Sequence, residues 1–234
     1  MRIDDKRVLI VDDIEVNRVV LEERLSAMGA LVMEVDNAKE ALEQLVTKQF
    51  DIAFVDLQLG GASGESVVRA SKKAGVTSPI IAWTAELDNK KYLKRGFTGV
   101  LNKPLENKNL FEVLKTAFPQ LEVEPKNLTV CTYATSGDLD NLPEKLIELI
   151  NLRKEDLPTE LYRIRRAVDL GNWDKAARLT HSLIGFTGTL GFINFSNKLR
   201  EVEECLRAKK LGNCMRVLET ITEAAMDIAV DPLA

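Results

Sequence analysis

The chain has 234 residues, 45% of them hydrophobic and 29% charged, with a net charge of −4. That length accommodates one large or two medium domains, and the balance is ordinary for a soluble globular protein. Neither half carries a cationic surplus, which argues against a phosphate-backbone binder and leaves no nucleic-acid partner to expect.

Residues 1–7 are too charged to open a signal peptide. Residues 8–11, Val-Leu-Ile-Val, form a short apolar run fit for a buried parallel strand, ended by Asp12 and Asp13. Helical periodicity follows over residues 16–28, and Gly29 stops it. Residues 31–35 read as a second strand, 38–46 as a second helix, and 52–55 as a third strand closed by Asp56. The polar, glycine-rich residues 60–64 read as a loop leading into a helix over 66–73. A fourth strand over 79–83 runs straight into Thr84, and 88–95 reads as a fourth helix. A short fifth strand over 99–101 ends in Asn102-Lys103-Pro104, and a helix over 107–118 closes the pattern. Strands alternating with helices in this way predict an α/β domain over 1–118, a doubly wound five-stranded parallel sheet covered on both faces.

The alternation stops near Pro119. Residues 119–140 mix Pro119, Pro125, Cys131 and Ser136-Gly137 without a period and read as a linker. Beyond it every periodic segment is helical, with helices expected over 142–152, 157–170, 173–190, 195–208 and 213–229. Asp156-Leu157-Pro158, Gly171-Asn172 and Leu211-Gly212 mark the turns. Residues 141–234 are therefore expected to form an all-α antiparallel four-helix bundle, with Trp173 in its core. Cys131, Cys205 and Cys214 are too few and scattered for a disulfide framework or a zinc site, and they read as reduced thiols of a cytoplasmic protein. No apolar run approaches the ~20 residues that span a bilayer, so no membrane insertion is expected.

Asp12, Asp13, Asp56, Thr84 and Lys103 each follow the apolar run of a strand, on four different strands. In an open parallel sheet the carboxyl ends of the strands share one edge, where ligands bind. Three carboxylates crowded there repel one another unless a cation sits among them. Hard oxygen ligands suit Mg²⁺, which keeps several waters and accepts a phosphate oxygen as a further ligand.

This constellation resembles a response-regulator receiver domain, over nearly all of residues 1–118. The resemblance implies that Asp56 takes a phosphoryl group as an acyl phosphate. It implies that Asp12, Asp13, Asp56 and the backbone carbonyl near Gln58 hold Mg²⁺. It further implies that Lys103 pairs with one phosphoryl oxygen, that Thr84 hydrogen-bonds another, and that Pro104 follows a cis peptide. Two positions depart from the family: Gly60 stands where its proline falls, and Val100 replaces an aromatic that swings inward. Relay is therefore expected more than control of an output surface. A Mg²⁺-dependent phosphohydrolase on the same kind of sheet would need an acid–base aspartate at position 58, which is Gln58.

The second half holds the single histidine, His181. Leu179, Leu183, Phe186 and Leu190 share one helical face, which places His181 opposite them, in water, beside Gly185 and Gly188. Two mid-helix glycines, each costing about 1 kcal/mol, then suggest a flank kept bare for a docking partner. The alternative is a histidine without a role and glycines that ease helix packing. His181-Ser-Leu-Ile-Gly185 followed by Thr189-Leu-Gly191 resembles the signature of histidine-containing phosphotransfer (HPt) domains. That resemblance implies an imidazole that accepts and donates a phosphoryl group, with Ile184 where the family usually has lysine.

The two halves together predict a phosphorelay protein of a two-component system, partnered by a sensor histidine kinase and by a separate HPt or receiver domain. The chain contains no kinase core, neither a Gly-x-x-x-x-Gly-Lys-Ser/Thr run nor a glycine-rich ATP lid. As an enzyme it would at most catalyse its own Asp56 phosphorylation and dephosphorylation. The alternative is an adaptor or phosphate sink whose helical half is a degenerate HPt binding module.

Overall fold

The computed structural model describes residues 2–85, 90–103, 105–120, 144–189 and 192–230. The chain divides into two units, Met1–Val130 and Cys131–Ala234. From residue 121 on, the linker expected over 119–140 lies outside the described residues, as does Pro104.

The first unit runs β1 (Arg7–Val11), α1 (Glu15–Ala27), β2 (Leu31–Val35), α2 (Ala38–Thr47) and β3 (Ile52–Asp56). It continues through β4 (Gln58–Leu59), β5 (Ala62–Ser63), α3 (Gly64–Lys73), β6 (Ile80–Thr84), α4 (Lys90–Lys94), β7 (Gly99–Asn102) and α5 (Asn107–Ala117). Five strands form one parallel sheet in the order β2-β1-β3-β6-β7. The period-two alternation of strand side chains divides the core into two layers. Val8, Ile10, Phe54, Ile81 and Trp83 pack with Leu21 and Leu25 of α1 and Leu110 and Leu114 of α5. Leu9, Val11, Val55 and Ala82 pack with Leu45 of α2, Val68 of α3 and Tyr92 of α4 on the other face. Burial on both faces is why these strands read as continuous apolar runs.

The register pairs Val11 with Val35 and Val55, Asp56 with Trp83, and Thr84 with Asn102. The strands therefore end together, and the residues that follow them meet at one edge, beside the reversal of strand order between β1 and β3. The stretch 60–64 is not a plain loop as expected. Ala62 and Ser63 pair with Leu59 and Gln58 in a two-stranded antiparallel ribbon, too short to leave a hydrophobic signature.

The second unit holds α6 (Glu144–Asp169), α7 (Trp173–Thr189), α8 (Ile193–Arg207) and α9 (Leu211–Val230). The helices contact one another in a closed ring, α6 with α7, α7 with α8, α8 with α9, and α9 with α6. Short connections make successive helices antiparallel, giving the four-helix bundle. Leu161, Ile164, Phe186, Leu199, Val202, Leu218 and Ile221 fill its core. The break expected at Asp156-Leu157-Pro158 does not occur, and the first two helical segments are one helix with Pro158 inside it. A proline there costs about 3 kcal/mol. Burial of Leu157, Leu161 and Ile164 at helical spacing outweighs that, at about 1.5–3 kcal/mol per side chain. Trp173 is only partly buried at the start of α7 and does not join the core.

Candidate functional site

Asp12, Asp13, Asp56, Thr84 and Lys103 converge at the carboxyl edge of the sheet. The three carboxylates place ligand oxygens within 4.8 Å of one another. Lys103 Nζ donates to Asp12 Oδ2 at 2.7 Å and to Asp56 Oδ2 at 2.6 Å, and it lies 4.8 Å from the Trp83 ring centroid. The Lys103 backbone N–H donates to the Thr84 carbonyl at 2.7 Å, and Thr84 is fully buried. Gln58 N–H donates to Asp56 Oδ1 at 3.1 Å, and Gly60 N–H donates to Asp13 Oδ2 at 2.9 Å.

Burial pushes the Asp12 carboxyl up to about 6, against the pull of Lys103 and with a further push from Asp56. Asp13 reaches solvent yet is also raised, first by partial desolvation and then by the charge of Asp12. Burial alone would lower Lys103; Asp12 and Asp56 overcome it and hold the ammonium above its usual range. Three carboxylates against one ammonium leave the cluster short of positive charge. An all-oxygen donor set of this spacing fits a hard divalent cation such as Mg²⁺.

In the helical unit, His181 does not face water as expected. It is 6% exposed, and its Nδ1 lies 3.0 Å from Glu203 Oε1 on α8. Arg207 Nη2 donates to the same Glu203 oxygen at 2.8 Å. Burial would raise Glu203, but His181 and Arg207 hold it below the usual carboxylate range. The single-stripe arithmetic failed because α7 packs against both α6 and α8, so residues 183–188 are all buried. Gly185 and Gly188 are buried with them. They are therefore not a bare docking flank. Ile184 is 1% exposed and its carbonyl accepts from Ser196 Oγ at 3.2 Å. Nδ1 is engaged by Glu203.

Residues 8–115 match the family model of the response regulator receiver domain, and residues 148–231 match that of the Hpt domain. The chain joins a receiver domain to an Hpt domain. Among curated proteins, sensor histidine kinase GacS of Pseudomonas protegens is 34% identical over 116 residues, 46% of this chain and 13% of that protein. Sensor histidine kinase AruS of Pseudomonas aeruginosa is 27% identical over 208 residues, 84% of this chain and 20% of that protein. Aerobic respiration control sensor protein ArcB of Escherichia coli is 30% identical over 150 residues, 61% of this chain and 19% of that protein. The chain thus spans a fifth or less of each of these relatives. Among solved structures, chemotaxis response regulator CheY4 of Vibrio cholerae is 26% identical with a TM-score of 0.44, over 48% of this chain and 98% of that one. The receiver domain of sensor histidine kinase PA1611 from Pseudomonas aeruginosa, with magnesium in its active-site cleft, is 28% identical with a TM-score of 0.45, over 49% of this chain and 98% of that one.

Three residues around these sites escaped the sequence reading. In the receiver domain, buried Asn17 donates from Nδ2 to both Asp12 oxygens, at 3.1 and 3.2 Å. Its signal was position, one turn into the helix after Asp12, where an amide can reach back. Gly64 was read only as a loop glycine. A Cβ there would meet the Asp56 carbonyl oxygen at 2.0 Å, so α3 starts hard against the backbone of Asp56. Gly64→Ala is expected to cost about 1–3 kcal/mol as an overpacking change, read by urea unfolding; an unchanged midpoint would mean the β3 end yields freely. In the Hpt domain, Glu203 lies 22 residues from His181 on another helix, and nothing local in the sequence marks it.

Proposed function

We propose that this chain is a phosphorelay component in which Asp56 and His181 are successive carriers of a phosphoryl group. The observation that carries the reading is the Asp12–Asp13–Asp56 cluster crossed by Lys103 Nζ. Asp56 attacks the phosphorus of a phosphohistidine donor; the O–P bond forms as the P–N bond breaks, and the leaving imidazole takes up a proton. Asp12, Asp13, Asp56 and the Gln58 backbone carbonyl would hold Mg²⁺, which when bound neutralises charge on the phosphoryl oxygens. Lys103 pairs with one phosphoryl oxygen, and the Thr84 hydroxyl hydrogen-bonds another. Lys103 is already held at the carboxylate that will carry the group, so little reorganisation is needed.

At the second station, Glu203 accepts a hydrogen bond from Nδ1–H of His181, which leaves the lone pair on Nε2. Nε2 attacks an acyl phosphate, the carboxylate leaves, and the phosphoryl group moves to nitrogen. A sensor histidine kinase is the donor to Asp56, and a separate receiver or Hpt domain is a further partner. Such kinases work on the cytoplasmic side, where we place this chain. No helix among the described residues is long and apolar enough to cross a membrane. The burial of His181 favours a second reading, in which the bundle docks partners without carrying phosphate or the receiver serves as a sink.

Radiolabelled donors distinguish the two. With labelled acetyl phosphate and Mg²⁺, wild type is expected to take base-labile label that Asp56→Asn abolishes. With a labelled phosphorylated receiver domain as donor, wild type is expected to take acid-labile label that His181→Gln abolishes. Base-labile label without any base-stable, acid-labile label, from every receiver donor tried, would establish the second reading.

A further inference from the structure

Asp13 is the exposed member of the carboxylate cluster, and Gly60 N–H is the donor on its Oδ2, at 2.9 Å. The other two carboxylates are held from several sides. Asp12 is gripped by Ile14 N–H, the Asn17 amide and Lys103, and Asp56 by Gln58 N–H and Lys103. Gly60 opens the turn of the β4–β5 ribbon. Gly60 and Gly61 lie at φ +56° and +107°, left-handed values that glycine adopts freely and asparagine tolerates near +60°. Space is not the constraint, since a Cβ at Gly60 would come no nearer than 3.9 Å to Asp13 Oδ2. The turn and hydrogen bond of this chain need a positive φ and a backbone N–H at Gly60, and proline, the residue the receiver family has here, supplies neither.

We propose that the β4–β5 turn is a latch that sets Asp13 for a divalent cation through the Gly60 N–H, making Gly60 a positioning residue of the metal site. The inference rests on the reading of Asp12, Asp13 and Asp56 as ligands. An exposed carboxylate gives up rotamer freedom when it binds a cation, and one already fixed by a charge-assisted hydrogen bond has given it up beforehand. The bond fixes one Asp13 oxygen at the edge of the carboxylate cluster. The same ribbon also reaches Asp56, through Gln58 N–H. Two of the three carboxylates are thus set by one small element.

The test is calorimetric titration of the full chain with MgCl₂ alone, for wild type, Gly60→Asn and Gly60→Pro. Gly60→Asn keeps the N–H and tolerates the turn, and it is expected to bind within about threefold of wild type. Gly60→Pro lacks the N–H and is expected to bind about tenfold more weakly, the effect of one charge-assisted hydrogen bond. Absence of Mg²⁺ binding by wild type overturns the metal-site reading and the latch together. Binding by wild type with Gly60→Pro within twofold of it, or Gly60→Asn as weak as Gly60→Pro, overturns the latch alone. A second measurement does not depend on the proline variant folding: Gly60 amide exchange is expected to speed up about tenfold in Asp13→Ala. An unchanged rate there also overturns the latch.

Discussion

Lys103→Met is expected to remove about 3 kcal/mol of receiver stability at pH 7.5 without divalent cations, because breaking a buried ion pair strands its partners. Lys103 is 4% exposed and touches both Asp12 and Asp56. Methionine keeps most of the stem's volume, so the loss reports charge rather than packing. The deficit has a predictable pH dependence. Asp12 already sits at about 6, raised by burial against the pull of Lys103, and without Lys103 it rises further. A carboxyl whose folded value lies above its unfolded one binds more protons in the native state. Its contribution is fully present below the unfolded value near 3.8 and is lost as pH rises through the folded one. The variant should therefore come closest to wild type near pH 4 and fall furthest behind above pH 7. Wild type should show the same downward slope between about pH 4 and 6, worth on the order of 2 kcal/mol. Asp51, which is held low by Arg7 and Lys6 despite some burial, opposes that slope weakly because it is solvent-screened. Mg²⁺ at 100 times its Kd should restore about 2.7 kcal/mol. Urea unfolding at three pH values, with and without MgCl₂, reads all of this. A deficit that is independent of pH would sink the account.

How much of this was visible in the residues depended on how many neighbours each element has. A central parallel strand is buried on both faces, so Val8–Val11, Ile52–Val55 and Ile80–Trp83 stand out as unbroken apolar runs, and the polar residue after each marks the binding edge. The receiver half was legible for that reason. Helix α7 was not, because the one-face rule assumes a helix with one buried side and α7 has α6 and α8 on two. Its glycines and its histidine then fell on the wrong side of the arithmetic. Pro158 misled in the same way, since local propensity is a weak prior against a face carrying Leu157, Leu161 and Ile164. The β4–β5 ribbon is two residues per strand, below the length at which alternation can be read. The contacts of Asn17 with Asp12, Gly60 with Asp13 and Glu203 with His181 are tertiary. Composition shows these residues without showing what they hold.

Glu203→Ala is expected to slow phosphoryl acceptance at His181 by about tenfold or more, as loss of a residue that orients a histidine commonly does. The carboxylate fixes two things at once. It accepts from Nδ1 at 3.0 Å, which selects the tautomer with its lone pair on Nε2, and it stops the ring from turning about χ2. Removing it leaves a buried ring nitrogen without a partner, a loss of about 1–3 kcal/mol. Arg207, 55% exposed on its side chain, loses an i,i+4 partner worth only about 0.3–0.5 kcal/mol. Glu203 is held below its usual range by His181 and Arg207 against burial. Its contribution is therefore present above the unfolded value and disappears as pH falls through the folded one. Wild type and variant should consequently converge in stability in acid and separate at neutral pH, the same direction as the Lys103→Met difference. Glu203→Gln keeps an oxygen that can accept from Nδ1 and should recover most of the stability while transferring at an intermediate rate. The readouts are urea unfolding and label transfer from a phosphorylated receiver domain. If Glu203→Ala accepts label within twofold of the wild-type rate, Glu203 is only a packing residue of α8 and the ring finds its orientation without it.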